Sequence, residues 1–359
     1  MTDGIRCLLM RGGTSKGAYF LAEDLPAEPA ERDALLLRIM GSPDPRQVDG
    51  LGGGHPLTSK VAVLSPSTHP EADVDYLFLQ VLPDRPVVSD AQTCGNLLAG
   101  VGPFALERGL VAAGGDVRTV RIRIVNPAES LVVAHVETPG GRVRYDGDAE
   151  MSGVPFPAAP IRLDFPGAGG SIFPSGALVD DLAGLTVSCV DAGMPVVLLR
   201  AEDLGLAGDE SPAELEADEA LRARLEAVRL EAGTAMGLGD VRDATVPKLS
   251  ILSPGRHGGL VTTRTFIPHR VHEAIGVLGA VSVVAGVLTP GTVAHDPDAG
   301  HPDAGDPPGA GRYRVEHPTG HFDAELALAG SGAQTSLAHS TVVRTARKII
   351  DGTVWPRSA

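Results

Sequence analysis

Two stretches of the chain are apolar at nearly every position and are long enough to form helices. They cover residues 97–110 and 272–288, and because neither has a polar face, both are predicted to be buried. Residues 29–40 have apolar positions at helical spacing and are followed by Gly41, a residue that commonly ends a helix. A further helix is predicted over residues 212–232, whose many Glu and Arg side chains indicate a surface location.

Strands are predicted where short apolar or alternating segments lie between turns that contain Gly or Pro. The segments are residues 5–10, 18–21, 60–64, 76–81, 117–125, 131–138, 141–148, 185–190, 196–199, 248–252 and 260–266. They fall into two groups, and each group accompanies one of the two apolar helices. The pattern therefore predicts an α+β fold with two pseudo-symmetric lobes, each a curled, mostly antiparallel sheet around a central buried helix.

Repeated passages support the division into lobes. They are PLTSKVAVLSP at 56–66 with ATVPKLSILSP at 244–254, and AEDL at 22–25 with AEDL at 201–204. In this alignment Lys60 corresponds to Lys248, and repeats roughly 180 residues apart indicate a duplicated domain. We expect lobes at residues 1–183 and 184–359, with the last strand, near 340–359, packing back on the first lobe. Duplicated lobes usually build their site in the cleft between them.

Composition limits the kinds of partner. The 359 residues carry a formal net charge of −15, which disfavours nucleic acid and anionic membranes because both attract basic surfaces. The longest apolar run, residues 275–288, is too short to cross a bilayer, and no charged and apolar leader opens the chain, so we expect a cytoplasmic protein. Residues 295–311 are rich in Pro, Gly, Asp and His; they predict an exposed, mobile loop rather than a preorganised metal site.

The three cysteines, Cys7, Cys94 and Cys189, include no C-x-x-C pair, which argues against a disulfide framework or a zinc site. Cys7 and Cys189 lie within apolar strands and are predicted to be core residues. Cys94 directly precedes an apolar helix, so its thiol would lie at a helix N-terminus, a setting typical of reactive cysteines. The N–H groups there would hold a substrate carboxylate, and Gly95 would let a ligand approach the backbone. The alternative is a small core cysteine beside a capping Asn96.

A second candidate follows the flexible glycine-rich segment at 50–54. Lys60 stands at the edge of an apolar strand, and apolar surroundings favour the neutral amine of a lysine, which is a usable base. The alternative is a strand-end lysine whose ammonium reaches solvent. Because Lys248 has the same place in the repeat, one of the two lysines is open to a structural or carboxylate-binding role.

The turn RGGTSKG at 11–17 offers backbone N–H groups, two hydroxyls and two cations, which suits either an anion-binding nest or a plain hairpin turn. It lacks the spacing of a P-loop, and residues 50–55 lack G-x-G-x-x-G, so no nucleotide site is predicted. Arg264, ahead of the second apolar helix, is a further anion ligand candidate. A Lys, a Cys and anion-binding turns without a cofactor motif suit proton abstraction beside an electron-withdrawing carbonyl or carboxylate.

These motifs resemble the PrpF family, which contains 2-methylaconitate cis-trans isomerase and 4-oxalomesaconate tautomerase. The matching passages are RGGTSKG (11–17), PLTSKVA (56–62), TCGN (93–96) and PKLSILSP (247–254). Three longer passages, at 40–53, 72–81 and 94–111, are similar to the tautomerase of bacterial gallate degradation in particular. The resemblance covers essentially the whole chain.

The resemblance implies the diaminopimelate-epimerase-like fold and a cofactor-independent isomerase with its site between the lobes. It also implies that Lys60 is the catalytic lysine and Cys94 the cysteine of the site. The amino-acid epimerases of that fold use one cysteine per lobe, whereas residues 268–273, the expected second position, contain none. This departure disfavours two-thiol racemase chemistry and favours Lys60 acting with Cys94.

We therefore expect a keto–enol tautomerase for 4-oxalomesaconate in aromatic catabolism. Lys60 is the expected base, and Cys94 or a water delivers a proton to the far end of the delocalised system. The expected substrate ligands are Thr14, Ser15, Ser59, Gly95, Asn96, Lys248 and Arg264; no metal or cofactor is expected. One alternative is an isomerase of 2-methylaconitate or a related allylic acid. The other is a non-catalytic protein that binds organic acids. A homodimer is expected by analogy with the fold.

Overall fold

The computed structural model describes residues 4–127, 129–167, 169–242, 244–296 and 311–358. It divides into two units, of which unit 1 comprises Met1–Phe165 and Val343–Ala359, and unit 2 comprises Pro166–Val342. Most of the loop expected at 295–311 lies outside the described residues.

In both units the described strands outnumber the helices. In chain order they are β1 (Ile5–Gly12), β2 (Ser15–Leu21), β3 (Lys60–Pro66), β4 (Val74–Val81), β5 (Val88–Ser89), β6 (Val117–Ile124), β7 (Ser130–Glu137), β8 (Pro160–Pro166), β9 (Asp180–Leu182), β10 (Leu185–Asp191), β11 (Pro195–Arg200), β12 (Lys248–Pro254), β13 (Val261–Phe266), β14 (Gly311–His317), β15 (Gly320–Ala329) and β16 (Ser336–Val354). The helices are α1 (Pro29–Met40), α2 (Gly95–Glu107), α3 (Pro212–Ala217), α4 (Glu219–Ala235) and α5 (Val277–Leu288). Within the described residues, no helix has the length and apolar character needed to span a membrane.

The unit 1 sheet has the order β1-β2-β3-β4-β6-β7-β8, and the last part of β16 pairs with β1. The pairs β2–β3 and β4–β6 are parallel, and the other pairs described in this unit are antiparallel. Helix α2 packs against β1, β2, β3, β6 and β7, and every residue from Leu97 to Leu106 is buried. The predicted buried helix inside a mostly antiparallel sheet is therefore confirmed for unit 1.

Small residues let α2 lie close to the sheet. The Tyr19 hydroxyl donates to Leu97 O at 2.6 Å. A Cβ atom at Gly100 would lie 2.4 Å from that hydroxyl, and one at Gly102 would lie 2.8 Å from Val136 Cγ2. Because these approaches leave no room for a larger side chain, the glycines fix the depth of the helix and hence the position of its N-terminus.

Unit 2 repeats the plan. From β10 to β15 the strands pair in the order antiparallel, parallel, antiparallel, parallel, antiparallel, as they do from β1 to β7 in unit 1 when the short β5 is left aside. Helix α5 packs against β10, β11, β14 and β15, as α2 packs on its own sheet. Lys248 pairs with Val196 at the start of a parallel ladder, as Lys60 pairs with Gly17. The duplication predicted from the repeats is confirmed at the level of topology.

The prediction of a strand over residues 141–148 is wrong. This segment is irregular, and the chain returns to the ladder pattern only in an isolated bridge between Ala149 and Ala158. Gly140 and Gly141 both adopt positive φ angles, 64° and 77°, so the backbone turns away from an extended course where the strand would begin.

Helix boundaries also differ from the predictions, and α2 covers Gly95–Glu107 rather than 97–110. The helix expected over 212–232 is broken at Asp218, whose backbone is extended and whose carboxylate caps α4 by accepting from Leu221 N at 2.8 Å. Helix α5 begins at Val277, later than predicted, because Gly276 is extended and occupies the N-cap position. Apolar periodicity alone does not reveal where the backbone leaves the helical region.

A buried carboxylate fastens the turn between β12 and β13. Glu316, 5% exposed, accepts hydrogen bonds from Arg256 N at 2.9 Å, His257 N at 2.6 Å, Gly259 N at 2.8 Å and Thr262 Oγ1 at 2.8 Å. Burial opposes ionisation, but these donors outweigh it and lower the pKa of Glu316 to about 2.

We expect Glu316→Gln to lower the free energy of unfolding by about 2 kcal/mol at pH 7, because hydrogen bonds to a charged acceptor are lost and an amide donor faces N–H groups. The native pKa lies below the ordinary value of 4.5, so the carboxylate stabilises the fold above about pH 4.5 and less as pH falls toward 2. Urea unfolding of both proteins at pH 7 and pH 3 should show a smaller difference at pH 3. Glu325→Gln, at an exposed position of β15, is the control. A difference independent of pH would contradict this account.

Candidate active site

Lys60 is the first residue of β3 and is fixed on both sides by the unit 1 sheet. Its backbone pairs with Gly17 of β2 and with Gln80 of β4. Only 8% of the residue is exposed. Its Nζ atom donates to Ser15 Oγ at 3.1 Å and to Cys94 Sγ at 3.3 Å. The amine is therefore held between a hydroxyl and a thiol.

Cys94 caps the N-terminus of α2. Its backbone is extended, and its Sγ atom accepts from Leu97 N at 3.5 Å. Its carbonyl accepts from the Tyr76 hydroxyl at 3.3 Å and from Leu98 N at 3.0 Å. The predicted position of this thiol at a helix start is confirmed. The positive end of the helix dipole and the Lys60 amine thus meet at the same sulfur.

The turn between β1 and β2 is fastened to the start of α2. Asn96 Nδ2 donates to Thr14 Oγ1 at 3.1 Å, and Thr14 N donates to Asn96 Oδ1 at 3.4 Å. Gly13 has a φ of 52°, and a Cβ atom there would lie 2.2 Å from Asn96 Oδ1. The next residue, Ser15, is 1% exposed and contacts the Lys60 amine. The hairpin turn is therefore part of the same cluster as the helix start.

One cluster in unit 1 thus contains most of the expected site residues. Its members are Thr14, Ser15, Lys60, Cys94, Gly95 and Asn96. The cluster combines a lysine amine, a thiol, hydroxyls, a carboxamide and the N–H groups of a helix start. This set can exchange protons and hold anionic oxygens.

Ser59 does not have the role expected of it. The residue is completely buried, its Oγ atom donates to Val81 O at 2.8 Å, and it accepts from Gln47 Nε2 at 2.7 Å. A hydroxyl engaged in this way inside the protein has no surface for a substrate. The expected substrate contact of Ser59 is therefore corrected to an internal contact next to Lys60.

The remaining two expected ligands lie in unit 2. Lys248 Nζ donates to Thr245 O at 2.5 Å, and burial, with the neighbouring Arg229 cation as the second cause, lowers the pKa of Lys248 to about 7. Arg264 is buried and donates to Glu210 O at 2.6 Å; burial lowers its pKa too. These cations have protein carbonyls as partners, and their expected contact with substrate stays a prediction.

The helix start in unit 2 has no thiol. Gly276 occupies at α5 the N-cap position that Cys94 occupies at α2. The counterpart of Cys94 therefore lies just beyond residues 268–273, where it was expected, and it is a glycine. Cys7 and Cys189 are buried, as predicted, and burial raises the pKa of each thiol to about 12.

Sequence reasoning misses the buried polar side chains behind Lys60 and Cys94. They are Tyr19, Gln47, Tyr76, Gln80 and Asn126. Asn126 Nδ2 donates at 2.8 and 3.1 Å to two carbonyls of the segment that leads to Cys94. The inward strand positions of Tyr19 and Tyr76 were an available signal, and burial raises the pKa of both phenols well above the usual value, so they stay hydrogen-bond donors.

Within the described ranges, no group of three or more His, Cys, Asp or Glu side chains is arranged to hold a metal ion.

A family model described as PrpF protein matches residues 3–356 of the chain. A relative from Novosphingobium sp. (strain KA1), named (4E)-oxalomesaconate Delta-isomerase, is 52% identical over 358 residues, which are 98% of this chain and 98% of the relative. A relative from Pseudomonas putida, named 4-oxalomesaconate tautomerase, is 51% identical over 359 residues, which cover 98% of this chain and 95% of the relative.

A solved structure of a methylitaconate-delta-isomerase superposes on this chain with a TM-score of 0.81. The two are 32% identical, and the match covers 99% of this chain and 96% of the other. The similarity over the full length confirms the predicted fold class.

Proposed function

We propose that this chain, which belongs to the PrpF family and is an isomerase, interconverts the keto and enol forms of 4-oxalomesaconate. Two relatives that share about half of its residues over their full length are named for action on that compound. The observation that carries the proposal is the 3.3 Å hydrogen bond between Lys60 Nζ and Cys94 Sγ. It joins an amine and a thiol at the start of a helix.

We assign proton removal to Lys60. Its neutral amine takes a proton from the carbon beside the carbonyl, and the Cys94 thiol gives a proton to the oxygen that becomes the enol hydroxyl. Lys60 is then an ammonium and Cys94 a thiolate. Transfer of one proton from Nζ to Sγ along their hydrogen bond restores the starting state, so protons and charge balance over the cycle.

The substrate carries several carboxylates, and the cluster offers donors for them. We assign the hydroxyls of Thr14 and Ser15, the Asn96 carboxamide and the N–H groups at the start of α2 to the carboxylates and to the developing enolate. Lys248 and Arg264 are proposed as further cationic ligands. A role in gallate or protocatechuate catabolism follows as a prediction from the substrate.

A double-bond isomerisation is the second candidate. It begins with the same proton removal but returns the proton to carbon at the far end of the delocalised system. The names of the Novosphingobium relative and of the structural relative, both delta-isomerases, favour it.

Turnover of 4-oxalomesaconate in D2O separates the candidates. For a keto–enol tautomerase, NMR of the product should show the loss of one carbon-bound proton and no carbon-bound deuterium. For a double-bond isomerase, one carbon-bound deuterium should appear per turnover. If the compound raises the melting temperature but no C–H proton is ever lost, the protein is a binder, and both catalytic proposals fail.

A further inference from the structure

We propose that Gln47 is a positioning residue for the reaction, holding the Lys60 amine in place through Ser59. The inference rests on the proposed function in that Lys60 is the base. It concerns a side chain outside the cluster of proton carriers and substrate ligands, in the loop that follows α1. The argument starts from the hydrogen bonds of its carboxamide.

All the donors and the acceptor of the Gln47 carboxamide are used inside the protein. The residue is 1% exposed. Its Nε2 atom donates to Ser59 Oγ at 2.7 Å and to Ser42 Oγ at 3.1 Å, and its Oε1 atom accepts from Gly54 N at 3.0 Å. One side chain therefore joins the end of α1, the glycine-rich loop and the residue before Lys60.

Ser59 is held from several directions. Its Oγ atom donates to Val81 O at 2.8 Å, and its carbonyl accepts from Gln80 Nε2 at 2.8 Å and from Val81 N at 3.2 Å. Lys60 is the next residue and the first of β3, and its side chain extends from the backbone that follows Ser59. A shift of Ser59 is thus passed directly to the start of β3 and to the amine.

The backbone at Gln47 indicates that the side chain is required there. Its φ angle is 49°, in the left-handed region that favours Gly, Asn or Asp over Gln. Gly52 packs directly against the side chain, because a Cβ atom there would lie 2.1 Å from Gln47 Oε1. The carboxamide is therefore closely packed, and its contacts stabilise a backbone conformation that is unfavourable for Gln.

Two substitutions test the contact from its two ends. Ser59→Ala removes the acceptor, and Gln47→Asn keeps an amide that tolerates positive φ but is one methylene too short to reach Ser59. Each should lower kcat about 10- to 100-fold, since a small displacement of a catalytic group costs that much, with KM changed by less than about threefold. The double variant should be no slower than the slower single variant, because both changes break one linkage.

Ser188→Ala is the matched control. Ser188 is also completely buried; its Oγ atom donates to Leu178 O at 2.5 Å and accepts from Val293 N at 3.0 Å, in unit 2. It therefore loses as many hydrogen bonds as Ser59→Ala. We expect it to lower the melting temperature similarly but to keep kcat within about twofold of wild type.

A second readout does not depend on the substrate. Iodoacetamide alkylates a cysteine as its thiolate, so its rate of reaction with Cys94 depends on the nearby Lys60 amine. This rate, measured by peptide mapping, should fall about fivefold in Ser59→Ala but not in Ser188→Ala. If wild type turns over no polycarboxylate, the proposed function fails while this comparison still tests the positioning. Equal losses in the two serine variants, or no loss in either, would overturn the inference.

Discussion

Lys60→Met is expected to lower kcat about 1000-fold while leaving the fold intact, because general base catalysis contributes on the order of 10²- to 10⁴-fold. Met has nearly the same length as Lys and fills the same buried space, so the change removes the amine and little else. The hydrogen bonds that Lys60 Nζ donates to Ser15 and Cys94 are lost with the amine. Steady-state turnover of 4-oxalomesaconate, with circular dichroism as a check of folding, measures the effect.

The control for this variant is Lys348→Met. Lys348 lies in the same unit, forms an ion pair with Glu107 at 2.8 Å and stacks over Tyr145, outside the Lys60 cluster. Its replacement should change kcat by less than about twofold. Near-wild-type turnover by Lys60→Met on every polycarboxylate tried would remove Lys60 from the mechanism.

The fold could be predicted because the sequence contains the same arrangement of elements in both units. Lys60 and Lys248 begin β3 and β12 at matching points of parallel ladders, and the two apolar helices lie on their own sheets. A buried helix without a polar face can be recognised from periodicity alone. The duplication then supplies the order of the strands around it.

The strands β14 and β15 were not predicted, although their sequences carry a local strand signal. Arg312, Arg314, Asp323 and Glu325 alternate with apolar residues, which is the pattern of a half-buried strand, but that pattern does not reveal which strand pairs with which. In the folded chain, Arg312 and Arg314 both pair with Asp323 across the two strands. A cross-strand ion pair becomes visible only when the register is known.

The residues of the candidate site differ in the same way: some have a local sequence signal, and others depend on contacts formed only in the fold. Cys94 could be found because the polar-to-apolar change that marks a helix start is local. Gln47 carries no such signal, since its role depends on a loop backbone with positive φ and on Ser59, twelve positions away in the chain. The glycine run suggests flexibility, whereas Gly52 lies close against the Gln47 carboxamide and Gly54 N donates to it. Positioning residues in loops are therefore the part of a site that patterns reveal least.

Cys94→Ala should lower kcat about 100- to 1000-fold and yet preserve one half of the reaction. If Lys60 removes the C–H proton and Cys94 delivers the other, the alanine variant still contains the base. Recovered 4-oxalomesaconate from Cys94→Ala in D2O should therefore have exchanged its acidic C–H proton for deuterium, although little product forms. Mass spectrometry of the recovered substrate measures this exchange.

Lys60→Met should show no more exchange than its roughly 1000-fold lower turnover allows, because the assigned base is absent. Exchange that persists in Lys60→Met but disappears in Cys94→Ala would reverse the two roles and make the thiolate the base. The hydrogen bond between Nζ and Sγ permits either direction of proton flow. The exchange pattern of the two variants, unlike their loss of kcat, therefore decides which atom attacks the C–H bond.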